Sequence, residues 1–430
     1  MAHYFGSENL DTVNLNQLGL KLVDLPTDVL LWIFKFCDAG TLRSLSKTCK
    51  RLNEVVSEDS VWVKWSNNAL ITNQRSDSVL KRSFIKLKAK ERCRISTNWK
   101  YGYYKDRNHY TGVKYMPWLW LESQVLWITQ GPRILGVPRL KDGIKWHSPH
   151  CIVKTAHTDD ISRFVKADNV IFSGGKDKNI CAWSTESNKL LFCQRSNHTQ
   201  DIQDLDGKRN IIVTGSKDGT VKVWQSHDGF SSLLCGCTIK VSDRVWSVAM
   251  DPSLSCLAAG SAGYYGVHPL HLYDLDRGIE RLMTKSVVKN GAAVFDIQWE
   301  CPNTLVTCGF DAILRLWDIR VGCCVANWSD PFGAAGYSLA TDCECSMLCG
   351  TATHGRVQFW DKRSPHSIQA FFGRGVASSP VYSLSFDPSQ LFIAQDSCVN
   401  VLDFSHHLEP DVQCADYTSF WTNNRNIQVL

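Results

Sequence analysis

One short phrase returns along the second half of the chain at a nearly fixed period, and a chain that repeats in this way buries its apolar faces by setting one copy against the next. SGGKDKNICAW ends at Trp183, TGSKDGTVKVW at Trp224, and AGSAGYYGVHPLHLYD places its aromatic at Tyr273. TCGFDAILRLWD follows with Trp317, CGTATHGRVQFWD with Trp360, and IAQDSCVNVLD with Leu402. Successive anchors lie 41, 49, 44, 43 and 42 residues apart, and an insertion at Tyr264 to Leu270 accounts for the longest interval. From about residue 109 the texture is short runs of Val, Ile, Trp, Tyr and Thr alternating with Gly, Asp, Asn and Ser, which is strand text. A period of about forty to forty-five residues with small residues, a turn Asp and a closing aromatic matches one four-stranded unit of a closed radial array.

Each copy resembles a WD repeat, and the resemblance covers residues 109 to about 405. It implies a mainly β fold, a β-propeller. Six anchored copies are countable; the aromatic run Pro117 to Gln130 followed by RILGVPR supplies three strand-like segments for a seventh, so seven blades are expected. His109 to Tyr115 is then expected to form the outer strand of the last blade, closing the ring from both chain ends, with Tyr417 to Trp421 as the other source of that strand. Two copies carry the family's polar relay: His157, Ser173, Asp177 and Trp183, then His198, Thr214, Asp218 and Trp224. In it a turn Asp accepts from an imidazole that contacts a hydroxyl and an indole N–H, so the buried polar groups satisfy one another. A constellation that recurs blade after blade is structural rather than catalytic. Later copies lack the His, and Asp311 keeps only part of the relay.

A different pattern runs from Leu25 to Trp65. Val29, Leu30, Ile33, Phe34 and Cys37 recur at spacings of three and four after Pro26-Thr27, predicting a short helix with a wide apolar stripe. Asp38-Ala39-Gly40 breaks it, Thr41 is read as the next N-cap, and Leu42, Leu45, Cys49 and Leu52 predict a second, basic helix. A third segment begins near Ser57 and brings Trp62 and Trp65. About forty residues cannot bury so much apolar surface alone, so a docking face is expected. The stretch resembles an F-box, with Leu25, Pro26, Leu30, Ile33, Phe34, Leu42, Leu45 and Leu52 at the motif positions. The resemblance implies that these side chains dock on a Skp-type adaptor of cullin-based ubiquitin ligases.

Between the two patterns, Lys81 to Arg107 holds ten Lys or Arg against Glu91 and Asp106, which concentrates a charge of about +8 in a chain whose total is +5. SVLKRSFIKLKAKERC, with Val79, Phe84 and Leu87, predicts one solvated helix joining two domains; a nucleic-acid surface is the sharper reading but is not expected without stacking aromatics on a known fold. The expected division is 1–20 flexible, 21–66 F-box, 67–108 basic helical linker, 109–405 propeller and 406–430 tail. MAHYFGSENLDTVNLNQ lacks the basic start and apolar core of a signal peptide, and no stretch approaches about eighteen apolar residues. An intracellular protein away from membranes is expected, cytoplasmic, with the nucleus open to it. The eighteen cysteines are scattered through strands and read as reduced, buried hydrophobes. The pairs Cys235/Cys237, Cys323/Cys324 and Cys343/Cys345 lack zinc-site spacing, so neither a metal nor another cofactor is expected.

No phosphate-binding glycine loop, His-Glu-x-x-His or nucleophile elbow occurs, so no catalytic residues and no enzyme activity of the chain itself are expected. The strand texts DRVWSVAMD, AVFDIQWE, AGYSLATD and PVYSLSFD set Trp246, Phe295, Tyr337 and Tyr382 in one column. The column reads as interblade packing or as a binding rim, with Arg244, Trp246 and Tyr382 as candidate client contacts and Arg244 suited to a bidentate anion. An F-box-like segment, a basic link and a WD-repeat ring resemble the F-box/WD-repeat family of substrate receptors. That resemblance implies the adaptor and a cullin scaffold as partners, a client protein on the propeller, and ubiquitination followed by degradation. A scaffold without ubiquitin transfer is the rival class, and an RNA-associated protein using the basic link is a third.

Overall fold

The computed structural model describes residues 21–406 except 112–113, 155, 228–231, 265, 282–290 and 376–377; segment 1–20 and the tail holding Tyr417 to Trp421 lie outside the described residues. The chain divides into two units, Met1–Ala69 with Lys88–Cys93, and Leu70–Leu87 with Arg94–Leu430.

Among its described residues the first unit has four short α-helices before the linker, where three were expected: α1 (Thr27–Phe34), α2 (Ala39–Ser46), α3 (Lys50–Val56) and α4 (Asp59–Ser66). The Leu42 to Leu52 stripe is split because Ser46 Oγ donates to Arg43 O and Thr48 Oγ1 to Leu45 O, both at 2.7 Å, taking up carbonyls at the end of α2. Asp38, not Thr41, caps α2: its carboxylate accepts from Thr41 N at 2.7 Å and from Thr41 Oγ1 at 3.1 Å. Leu30, Phe34, Leu42, Leu52, Val56 and Trp62 form the core, and Trp62 Nε1 donates to Val56 O at 2.6 Å.

Two further helices follow, α5 (Asp77–Arg82) and α6 (Ala89–Tyr101), so the single linker helix is two, separated at Ser83 to Lys88. The first residues of α6 belong to the first unit, where Ala89 N donates to Asp59 Oδ1 at 2.5 Å. The remainder belongs to the second unit and buries Ile95, Asn98 and Trp99 there, while Lys100 and Tyr101 at its end are exposed. Trp99 is fully buried there, stacked on Phe404 at 3.7 Å between ring centroids, with Nε1 donating to Pro388 O at 3.0 Å. Two of the basic residues are engaged as well: Arg82 Nη2 donates to Thr341 O at 2.8 Å, and Arg94 Nη1 to Ser405 O and His406 O at 2.9 Å, while Lys81, Lys86, Lys88 and Lys100 are exposed.

The second unit is a ring of seven antiparallel sheets. Blade 1 spans 119–154, blade 2 161–195, blade 3 202–240, blade 4 245–281, blade 5 294–329 and blade 6 336–372. Blade 7 joins the strands at 383–403 to Lys105–Tyr110 as its outermost strand. The closing strand therefore begins upstream of His109: Lys105 pairs with Asp403 and Tyr110 with Cys398. Gly102 at φ +72° ends α6, and Tyr103 N bonds back to Asn98 O at 2.8 Å, turning the chain straight into the strand. This ring-closing strand moves the propeller boundary from 109 to 105.

Blades are tied by buried carboxylates as well as by apolar contact. Asp204 of blade 3 accepts from Val248 N of blade 4, and Asp296 of blade 5 from Leu339 N of blade 6, both at 2.8 Å. Arg139 of blade 1, fully buried, meets Asp387 of blade 7 at 2.6 Å and also reaches Gln390 Oε1 at 2.9 Å. This buried guanidinium is tolerated because both Nη groups are met, Nη1 donating to Arg82 O at 2.7 Å and to Glu122 O at 2.9 Å, while Nε has no hydrogen-bond partner among the described residues.

Candidate functional site

The innermost strands bring the aromatic column to one mouth of the ring. Trp246, Phe295, Tyr337 and Tyr382 are each half-buried, with successive ring centroids 5.6, 5.0 and 6.3 Å apart across the blade boundaries. They pack on one another across the blade boundaries, and they also line a cavity of about 620 Å³. Arg244 lies on the same rim, exposed, beside exposed Tyr264 and Phe310.

Three further cations of this mouth escaped the sequence reading. Lys176 meets Asp160 and Lys217 meets Asp201, each at 2.8 Å. Arg163 lies 3.4 Å above the Trp118 ring, with Nε 3.2 Å from Asp204 and Nη1 3.8 Å from Asp296. Burial pushes the Asp204 carboxyl up to about 7 against the pull of Arg163, and it raises Asp296 as well. A signal for the lysine pairs was present: each Lys directly precedes the turn Asp of its repeat, and each partner Asp stands three residues after the relay His.

The relays are buried in the blades. His157 contacts Asp177 through Nδ1 at 2.9 Å and Ser173 Oγ through Nε2 at 2.9 Å. His198 contacts Asp218 through Nδ1 at 3.1 Å and Thr214 Oγ1 through Nε2 at 2.9 Å, and Trp224 Nε1 completes the second relay on Thr214 Oγ1 at 2.9 Å. Trp183 does not complete the first: its Nε1 has no hydrogen-bond partner among the described residues, and the half-buried indole packs with the apolar cluster of blades 1 and 2 instead. Although Asp177, His157 and Ser173 are ordered as in a hydrolase triad, Ser173 is 1% exposed, so a substrate has no path to it. Asp311 of blade 5, lacking a His, takes Arg315 at 2.5 Å.

Burial would raise the Asp177 carboxyl, but the His157 imidazole and two backbone N–H groups hold it at about 2. Burial keeps the His198 imidazole below the usual histidine range, against the pull of Asp218. The unfolded chain therefore binds a proton at His198 more readily than the fold, and that stabilisation is lost as pH falls through the ordinary histidine value of 6.5. Melting temperature should drop between pH 7.5 and 5.5, and His198→Gln should make the drop shallower; an unchanged slope would refute this. Asp218→Ala should cost about 1–3 kcal/mol at neutral pH by leaving polar groups around His198 unmet, read from thermal melts.

In the helical unit the motif residues separate into two groups. Leu30, Phe34, Leu42 and Leu52 are at most 4% exposed and form the core, which corrects their assignment as adaptor contacts: side chains that fill their own domain cannot also fill a partner's pockets. Pro26 is exposed, while Leu25, Ile33 and Leu45 are half-buried. Arg51 Nη2 holds Leu25 O at 2.8 Å and so fixes the Leu25-Pro26 turn. The sequence reading missed Trp32 and Phe36, which are 63% and 74% exposed and meet edge to face at 5.2 Å. Their spacing of four on the flank of the stripe was the available signal.

A four-helix unit with an uncovered aromatic pair, followed by a seven-bladed ring, defines a WD-repeat propeller carrying an F-box. The F-box-like family model matches residues 22–67, and the WD domain, G-beta repeat model matches 191–225. The chain is 33% identical over 390 residues to F-box/WD repeat-containing protein 4 of Mus musculus, covering 89% of this chain and 93% of that protein. The protein of the same name from Homo sapiens is 33% identical over 403 residues, covering 90% and 94%. The chain belongs to the F-box/WD-repeat family. Among the described residues no helix is long and apolar enough to cross a membrane.

Proposed function

We propose that this chain is the substrate-recognition subunit of a cullin-type ubiquitin ligase. The F-box docks on a Skp-type adaptor that joins it to the cullin scaffold, and the propeller mouth holds a client protein for ubiquitination and degradation. Family membership supports the substrate-adaptor role. The observation that carries the docking reading is the exposed Trp32 and Phe36 pair on a unit whose own core is already filled. The chain's contribution to reaction is then to raise the effective concentration of client near activated ubiquitin, with no bond made or broken by its own side chains.

The test is copurification of the adaptor with the full chain and with a Trp32→Ala/Phe36→Ala variant. Both side chains are largely in water, so the variant should melt as the parent does while adaptor binding weakens by about tenfold or more, the loss expected for interface aromatics. Equal recovery of adaptor would remove the docking face from these residues. The mouth is read as the client surface on its aromatic rim and on Arg244, Trp246 and Tyr382.

A further inference from the structure

The charges around the propeller mouth restrict what can occupy it. Of the four cations lining the cavity, Lys176 and Lys217 are each held by a carboxylate at 2.8 Å, and Arg163 lies between Asp204 and Asp296. Arg244 alone among these described cations has no acidic partner, and it is exposed on the rim above the aromatic wall. Its position is fixed from the backbone: Arg244 N donates to Asp243 Oδ1 at 2.7 Å, and its carbonyl accepts from Ala262 N at 3.0 Å. The same Asp243 accepts from Tyr264 N at 2.9 Å, so Arg244 and the exposed Tyr264 are set side by side.

We infer that the mouth takes a client segment presenting one carboxylate, from an internal Asp or Glu of an unphosphorylated chain, among apolar or aromatic side chains. The inference rests on the reading of the mouth as the client surface. A guanidinium meets a carboxylate through two parallel N–H groups, which suits a single free Arg. A phosphate group brings close to two charges and three acceptor oxygens, and it is favoured where several cations are free. Here a second cation could be released only by breaking a short ion pair at the rim or by taking Arg163 from two buried carboxylates. The apolar part of the segment has its complement in Trp246, Phe295, Tyr337 and Tyr382, and the volume of about 620 Å³ lies within the range of about 300–1,000 Å³ typical of ligand sites. A basic segment would meet the Arg244 guanidinium, which no carboxylate pairs among the described residues, and this disfavours it.

The test is selection of a displayed library of end-capped dodecapeptides, one arm unphosphorylated and one with phosphoserine, on the full chain and on three variants. Enrichment of sequences with a single acidic residue beside aromatic or large aliphatic ones is expected. Arg244→Glu should weaken them by about tenfold or more, the effect of removing a hydrogen-bonded charge, and should select Lys- or Arg-bearing peptides instead; Arg244→Lys should retain part of the binding. Peptides that bind through the mouth, as shown by loss with Trp246→Ala at an unchanged melting temperature, yet are enriched only when basic or phosphorylated, would overturn this chemistry and leave the client surface standing. Absence of any peptide sensitive to Trp246→Ala would overturn both readings.

Discussion

Replacement of Trp99 with alanine is expected to lower the melting temperature of the propeller by roughly 10 °C, although the residue lies in the stretch that reads as a linker. The indole is stacked on Phe404 and meets Phe371 edge-on at 5.4 Å, with Phe359 at 6.0 Å and Phe386 at 6.2 Å. These rings belong to blades 6 and 7 and to the segment just after the last strand, so removing the indole opens a cavity where the ring closes. Truncating a fully buried Trp costs about 3–5 kcal/mol, and a domain of this size loses about 2–4 °C per kcal/mol. Trp99→Phe keeps an aromatic surface and gives up the Nε1 bond to Pro388 O, so it should fall between the parent and the alanine variant. A thermal melt followed by circular dichroism decides it. If Trp99→Ala melts within about 2 °C of the parent, the C-terminal half of α6 is not part of the propeller's core.

That Trp99 went unread shows what the sequence carries and what it hides. Repetition made the ring legible because each blade must present the same small residues, turn Asp and aromatic at the same place, and even blade 1, without that phrase, was visible in Pro117 to Gln130. The closing strand has no repeat partner, so its register could be read only from Lys105 pairing with Asp403. In the basic stretch, net charge masked function. Arg82 and Arg94 donate to backbone carbonyls of the propeller, and Lys or Arg in such a place looks the same in sequence as a solvated one. In the F-box, the stripe identified the apolar face correctly but not which apolar residues remain in water: Phe34 turns into the core while Phe36, two positions on, stands out. Such a division depends on where α2 and α3 lie against α1. Arg139 was missed for a related reason, since its partners Asp387 and Gln390 lie in the last blade, which ring closure brings beside the first.

Closure of the ring should fail when the strand Lys105–Tyr110 can no longer bond to Cys398–Asp403. Thr111 N donates to Ser397 O at 2.9 Å, and in an antiparallel ladder of this register the residues of the same parity, Arg107 and His109, face their partners through the same kind of bond. The variant Arg107→Pro/His109→Pro removes both donors and imposes the proline φ on a strand that needs extended backbone. Its control, Arg107→Ala/His109→Ala, discards the same side chains, including the ion pair of Arg107 with Asp142 and the stacking of His109 on Trp146, while keeping the N–H groups. The alanine control should remain soluble and protease-resistant with a slightly lowered melt. In the proline variant the strand Cys398–Asp403, buried along its whole length, becomes an open edge carrying Val399, Val401 and Leu402, and such an edge pairs with other chains. Expected results are aggregation during purification and early cleavage by protease in blade 7. Should the two variants behave alike, the segment at Lys105–Tyr110 would be a passive cover, and cohesion of the ring would rest on the ties between neighbouring blades, among them Arg139 with Asp387 and Gln390, and Leu119 N with Ser383 Oγ, across the closure.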